Sequence, residues 1–98
     1  MIALIWRYEV PEEARAAFET TYGPTGAWAQ LFARGDGFRG TELFKAEDGS
    51  YLTLDVWRSR EDFEAFMAAF GEDYQALDRS TESWTLSEHR IGEYEVLG

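Results

Sequence analysis

Cysteine is absent from this chain of 98 residues, and histidine occurs only once. The lack of cysteine excludes disulfide bonds, thiolate-ligated metals and a cysteine nucleophile. The single histidine, His89, is flanked by Glu88 and Arg90, and a metal site needs two or three converging ligands. We therefore expect no bound metal. His89 remains a low-ranking candidate catalytic residue because an unperturbed imidazole titrates near neutrality; a solvent-exposed position is the alternative.

Basic residues are also scarce. Nine lysines and arginines stand against 19 acidic residues, which gives a formal net charge of −10. Such a surface repels phosphate backbones and anionic lipids, so we expect neither nucleic acid nor a membrane as a partner. The apolar N-terminal run, residues 1–6, is interrupted by Arg7 and Glu9, too early for a signal peptide or a membrane span. The expected location is the cytoplasm.

Apolar and aromatic residues, by contrast, are plentiful. The chain is 45% hydrophobic and 16% aromatic, with four Trp, five Tyr and seven Phe. Its length fits one domain, residues 1–98. A core this small cannot enclose so many rings, so some of them are expected at an interface or in a cavity.

The most informative stretch is residues 51–66, which predicts a strand running almost directly into a helix. Leu52, Leu54 and Val56 alternate with Tyr51, Thr53, Asp55 and Trp57, so the strand has two different faces. Ser59, three residues before Asp62, is a typical helix N-cap. The aliphatic face is expected to pack on the helix, which leaves a carboxylate between aromatic rings on the other face.

The rest of the chain divides into similar elements. Alternating apolar residues predict three further strands, at residues 2–10, 38–46 and 90–97. Pro11 begins a predicted helix that ends at Gly23-Pro24, and Thr25 is the expected cap of a shorter helix. The helix from residue 60 continues through Leu77, with Gly71 as a predicted kink.

This order, β-α-(α)-β-β-α-β, predicts an α+β fold. Right-handed split βαβ connections give a ferredoxin-like βαββαβ domain with an extra short helix and a four-stranded antiparallel sheet. Helices cover only one face of such a sheet, yet the strands carry aromatic residues on both. We therefore expect a homodimer that pairs the open sheet faces.

Three segments give the chain a resemblance to a known family. They are residues 2–11, residues 37–44 and residues 51–66, where Trp57-x-Ser59-x-x-x-Phe63 marks the junction between strand and helix. In these segments the chain resembles the antibiotic biosynthesis monooxygenase (ABM) family of the dimeric α+β barrel superfamily. The matching residues are signatures of architecture more than of chemistry.

The resemblance implies three readings of the function. The first is a cofactor-independent monooxygenase that acts on an aromatic or polyketide-like molecule. The second is a non-catalytic dimeric protein that binds a small molecule or has a stress-related role. The third is a haem-binding or haem-degrading protein. The resemblance implies that this branch of the family has an Asn on the first strand and a His on the second helix. This chain has no Asn on that strand, and His89 follows the helix, so the third reading ranks last and no cofactor is expected.

A cofactor-free oxygenase needs a base or a hydrogen-bond partner for a phenol, together with an apolar pocket. Asp55 and Glu42 are the candidate bases, because burial beside aromatic rings raises a carboxyl pKa toward a useful value. The alternative is that these carboxylates pair with Arg7, Arg39 or Arg58. Tyr74 is a candidate hydrogen-bond donor to a phenol oxygen, although it also continues the apolar stripe of the helix.

Aromatic residues of the strands and of the short helix are the candidate pocket lining. The short helix is placed to cover a cleft between helices and sheet. For each ring the alternative is an ordinary position in the core or in the dimer interface. The candidates are Trp6, Tyr8, Trp28, Phe32, Tyr51 and Trp57.

Overall fold

A computed structural model describes residues 1–98. Its single sheet contains β1 (Ile2–Glu9), β2 (Phe38–Lys45), β3 (Tyr51–Trp57) and β4 (Ser87–Glu95). The strands are ordered β2-β3-β1-β4 and every neighbouring pair is antiparallel. This is the order of a ferredoxin-like sheet, so the predicted fold class is confirmed.

Three helices lie on one face of the sheet. They are α1 (Arg15–Tyr22), α2 (Ala27–Phe32) and α3 (Arg60–Thr81), with single 3-10 turns at Glu12–Ala14 and Glu82–Trp84. None of them is long and apolar enough to cross a membrane. The long α3 packs against β3 and α2, and α1 packs against α2.

Local chemistry explains where these elements begin and bend. The Ser59 hydroxyl accepts a hydrogen bond from the Asp62 backbone N–H at 3.1 Å, as the sequence predicted for a helix N-cap. Phe70, next to Gly71, has φ −121° and ψ 18°, which confirms the predicted kink. Between β2 and β3, Gly49 has φ +88°, a conformation that side-chain-bearing residues rarely adopt.

Two predicted boundaries were wrong. Thr25 does not cap α2, because Gly26 occupies the N-cap and no side chain caps this helix. The last strand begins at Ser87 rather than at residue 90, because β4 pairs with the whole length of β1. Its added residues bring Glu88 opposite Tyr8.

The two faces of the sheet are the reverse of those predicted. The aromatic face packs under the helices, so that Trp57 and Tyr51 are 0% and 1% exposed. Leu52 and Leu54 point to the opposite, open face, where Leu52 is 38% exposed. Large rings can span the gap between sheet and helices and bury more apolar area per residue than aliphatic chains do.

We call the open side the outer face. It carries no helix, and its side chains come from all four strands. In cross-strand register they are Ile5, Phe44, Leu52, Leu54, Val56 and Tyr94. Phe44 and Tyr94 are about half exposed, at 47% and 50%. The outer face is therefore an apolar surface on an otherwise strongly acidic chain.

Candidate active site

A cleft opens between the helices and the inner face of the sheet. It encloses a cavity of about 40 Å³ and is partly open to solvent. Six aromatic residues, three carboxylic acids and two threonines line it: Trp6, Tyr8, Tyr22, Trp28, Phe32, Thr41, Thr53, Asp55, Tyr74, Asp78 and Glu88.

Simple periodicities bring these side chains together. On the strands, alternate residues share a face, so Trp6 and Tyr8 lie beside Thr53 across the β1–β3 pair. On the helices, residues four apart share a face, which pairs Trp28 with Phe32 and Tyr74 with Asp78. All four strands and all three helices contribute at least one side chain to the cleft.

Asp55 is the buried acid of the cleft, at 9% exposed. The Thr41 hydroxyl donates a hydrogen bond to its Oδ1 at 2.6 Å. Burial raises the pKa of Asp55 to about 6, and the hydrogen bond from Thr41 partly offsets that rise. No basic side chain is paired with this carboxylate. A carboxyl group with this pKa is mainly ionised at neutral pH and can still accept and return a proton.

Three tyrosines surround the middle of the cleft. Burial raises the pKa of Tyr8, of Tyr22 and of Tyr74, the last to about 12. The Tyr22 hydroxyl donates to the Thr81 Oγ1 at 3.1 Å, which holds that ring in place. All three hydroxyls remain protonated at neutral pH, so they act as hydrogen-bond donors and not as bases.

A second acidic region lies at the β4 end of the cleft, where Glu88 and Asp78 come from a strand and a helix. Glu88 is largely exposed, and its partial desolvation together with the nearby Asp78 and Glu82 carboxylates raises its pKa. Neither Asp78 nor Glu88 has a salt-bridge partner. The β4 end therefore carries uncompensated negative charge.

Trp28 closes the cleft from α2. Its ring packs edge-on against Tyr74, with the ring centroids 4.9 Å apart, and tilted against Phe32 at 5.8 Å. The indole Nε1–H is buried and lacks a hydrogen bond of good geometry. It lies close enough to the Tyr22 hydroxyl to offset part of the rise that burial causes in the pKa of that group, so it is a weakly engaged donor in the wall of the cleft.

Six residues named from the sequence line this cleft: Asp55, Tyr74, Trp6, Tyr8, Trp28 and Phe32. Tyr51 and Trp57 do not. Both belong to the core cluster. The ring centroid of Trp57 is 5.2 Å from that of Phe38 and 5.3 Å from that of Phe66. They support the floor beneath the cleft and do not touch its space.

Glu42 and His89 lie outside the cleft. Glu42 pairs in register with Leu54, which places it on the outer face, where it is exposed. His89 pairs with Arg7 and is also exposed. The cause is strand alternation: each is one residue away from a cleft residue, Thr41 or Glu88, and so points to the opposite side.

Five lining residues were missed: Tyr22, Thr41, Thr53, Asp78 and Glu88. Asp78 could have been found as the residue four positions after Tyr74 on the same helix face. Thr41 and Thr53 carried no signal, because a threonine on a strand becomes notable only once its cross-strand partner is known. Glu88 was missed because it precedes the predicted last strand, residues 90–97, and so was not assigned to a sheet face.

Fold and cleft together define an α+β protein of the ferredoxin-like type with a pocket between helices and sheet. The family model for antibiotic biosynthesis monooxygenase matches residues 1–79, which is most of the chain. The protein therefore belongs to the ABM family, as the resemblance in its sequence indicated. No curated protein matches the sequence significantly.

Solved structures with the same fold share little sequence with it. SnoaB from Streptomyces nogalater, a cofactor-independent oxygenase, is 22% identical, with a TM-score of 0.70 over 99% of this chain and 93% of SnoaB. Rv0793 from Mycobacterium tuberculosis is 18% identical, with a TM-score of 0.71 over 99% and 95% of the two chains. A point mutant of MhuD, with two manganese protoporphyrin IX molecules bound per active site, is 21% identical, with a TM-score of 0.73 over 100% and 96%. At these identities the likeness establishes the fold alone.

Proposed function

We propose that the protein is a cofactor-independent monooxygenase that acts on a hydroxylated aromatic or polyketide-like molecule in the cleft. The observation that carries this proposal is Asp55, a buried carboxylate with a raised pKa that faces aromatic walls. Family membership supports the reaction class, and SnoaB, which shares the fold, is described as a cofactor-independent oxygenase.

The proposed chemistry starts with proton transfer. The Asp55 carboxylate accepts a proton from a substrate hydroxyl, and the resulting anion is electron-rich enough to pass one electron to O₂. The two radicals then combine, which forms a bond between a ring carbon and oxygen. Protonated Asp55 returns its proton as the O–O bond breaks and water leaves.

The reaction balances without an external reductant. A hydroquinone with one free ring position and one O₂ gives a hydroxyquinone and one water, because the hydroquinone itself supplies the two electrons that a cofactor would otherwise provide. The aromatic walls serve this chemistry by excluding water from the charged intermediates. The hydroxyls of Tyr8 and Tyr74 are protonated donors available to the substrate oxygens.

A haem-based activity has less support. An imidazole ligand to iron would have to come from His89, the only histidine, and that side chain is exposed outside the cleft. No group of three or more His, Asp or Glu side chains is placed to hold a metal ion. Absorption spectra with added haem test this directly, since ligation by His89 would produce a Soret shift that His89→Ala abolishes.

We also propose that the protein acts as a homodimer joined through the outer face. The support is the apolar outer face itself, which in a monomer would leave Phe44, Leu52 and Tyr94 in contact with water. Pairing this face with its copy covers all three and leaves the cleft on the far side of each sheet accessible.

The proposed activity is tested by oxygen uptake in chelator-treated buffer with a panel of hydroquinones and polycyclic phenols. Uptake that requires the folded protein and no added cofactor is the expected result, with one O₂ consumed for each quinone formed. Oxygen uptake that occurs only after a metal or a flavin is added would contradict the cofactor-independent mechanism. Absence of uptake across the panel would favour the alternative of a non-catalytic binding protein.

A further inference from the structure

The charged residues that line the cleft all have the same sign. Asp55, Asp78 and Glu88 are carboxylic acids, and no lysine, arginine or histidine is among the eleven lining residues. Arg90 lies opposite Trp6 in the sheet but is exposed and does not line the cleft. A ligand in this space meets aromatic rings, carboxylates and two threonines, and no cationic side chain.

These carboxylates are also free to interact with a ligand. Asp55 is nine-tenths buried and lines the cleft, and its Oδ2 makes no hydrogen bond within the chain. Asp78 and Glu88 make no salt bridge. In a cleft with low-dielectric walls, unpaired charges of one sign focus the field and attract the opposite charge.

The acids lie at two separate ends. Asp55 on β3 is level with Leu4 of β1, whereas Glu88 on β4 is level with Tyr8, four residues further along β1. Two strand spacings and four residue rises separate the two Cα atoms by roughly 16 Å. The acid proposed as the base is therefore well removed from the acidic pair at the β4 end.

We propose that the natural ligand carries a cationic amine, which Asp78 and Glu88 bind at the β4 end while a ring of the same molecule lies at Asp55. The inference concerns the substrate class of the site described above and relies on the proposed function only for the role of Asp55. The ligand is thus a protonated amine attached to an extended aromatic system, and anionic aromatic molecules are rejected.

Aromatic residues strengthen the preference for a cation. Tyr8, which is level with Glu88 in the sheet, packs against Tyr22 with the ring centroids 5.2 Å apart, and the ring centroid of Trp28 is 6.0 Å from that of Tyr22. Faces of such rings attract ammonium groups, and this attraction grows when water is removed. Rings combined with carboxylates are a typical environment for alkylammonium ligands, whereas a purely apolar cleft would suit neutral rings equally well.

The test compares three anthracene ligands whose substituents are cationic, neutral and anionic. They are 9-anthracenylmethylammonium, 9-anthracenemethanol and 9-anthracenecarboxylate, whose binding is measured by fluorescence anisotropy of the anthracene ring. The ammonium compound is expected to bind about tenfold more tightly than the alcohol at low salt, and the carboxylate is expected to bind most weakly. Added salt should reduce the difference, because it screens the charges.

Isosteric variants locate the effect. Glu88→Gln and Asp78→Asn should each weaken ammonium binding by about twofold to fivefold at low salt and leave the alcohol unchanged. The control is Glu64→Gln, at an exposed acid on α3. It makes the same change in net charge and should alter the binding of neither the ammonium compound nor the alcohol. Tight ammonium binding that survives both cleft substitutions would contradict the proposal, as would equal binding of the three ligands or no binding of any.

These results are separable from the oxygenase activity. A preference for the ammonium ligand with no oxygen uptake would uphold the cation site and count against the monooxygenase. Oxygen uptake with neutral or anionic hydroquinones at rates equal to those of amine-bearing ones would support the monooxygenase and count against the cation site.

Discussion

The inner and outer faces of the sheet come from the same four strands, yet they differ in composition and in surroundings. The inner face carries Tyr51, Asp55 and Trp57 under the helices, whereas the outer face carries Leu52 and Leu54 in the open. A shift of one residue would exchange the two faces entirely. The difference shows that bulk, not hydropathy alone, decides which face the helices cover.

The two faces also differ in the burial and hydrogen bonding of their acidic side chains. On the inner face Asp55 is buried, hydrogen-bonded to Thr41 and shifted in pKa. On the outer face Glu42 is exposed beside Leu54. Burying a carboxylate costs free energy unless the group is hydrogen-bonded or paired. The buried Asp55 therefore supports the proposal that the chemistry takes place on the inner face, and the exposed apolar side chains support the proposal that the outer face associates with a second copy.

The largest expected effect comes from placing a charge in the outer face. The protein should sediment at twice its chain mass of 11.3 kDa at micromolar concentration. Leu54→Asp should yield a monomer, because each interface would bury two carboxylates and the dissociation constant should rise about a thousandfold or more. Leu86→Asp, the same substitution at a leucine that is 71% exposed elsewhere, is the matched control. A wild-type monomer would rule out this interface.

Truncation on the inner face should cost folding stability. Trp57 is 0% exposed and contacts four phenylalanine rings, so Trp57→Ala should lower the free energy of unfolding by about 3–5 kcal/mol. Phe44→Ala on the outer face should cost less than about 1 kcal/mol when both are measured by urea unfolding in the Leu54→Asp background. Equal losses would mean that the two faces are not as different as the structure describes.

Replacing the buried acid should abolish most of the proposed activity. Asp55→Asn keeps the shape and a hydrogen-bond acceptor for Thr41 but removes the base, so the oxygen-uptake rate should fall about a hundredfold or more. Glu42→Gln, on the outer face, should leave the rate unchanged. If Asp55→Asn retains more than about a tenth of the wild-type rate, another group must act as the base.

The fold was readable from the sequence because it rests on repeated, local signals. Alternation in β3, the Ser59 cap and the apolar stripe of α3 each fix an element, and connection rules then leave few sheet orders. The assignment of faces failed because both faces of β3 are apolar enough to be buried. The cleft was only partly predictable: Asp55 stands out among aromatic rings, but Thr41 and Glu88 acquire meaning only from their cross-strand partners.

The same Asp55→Asn variant should change how stability depends on pH. The folded pKa of about 6 lies above the ordinary Asp value of 3.8, so between about pH 4 and 6 the folded state binds more protons than the unfolded state. Stability contributed by this group is therefore lost as pH rises through that window, by about 2 kcal/mol in all. Subtracting the variant's unfolding free energies from those of the wild type isolates this component, and a flat difference would contradict the raised pKa.

The smallest expected effect concerns the hydrogen bond that tunes Asp55. Thr41→Val preserves shape but removes the hydroxyl that donates to Oδ1 at 2.6 Å. Because that bond favours the ionised carboxylate, its loss should raise the pKa of Asp55 further, by about one unit. The pH at which oxygen uptake reaches half its maximum should move upward by the same amount, with little change in the plateau rate. A fall in the plateau without a shift in the midpoint would instead mean that Thr41 contacts the substrate, which would extend the reacting region of the inner face from β3 to β2.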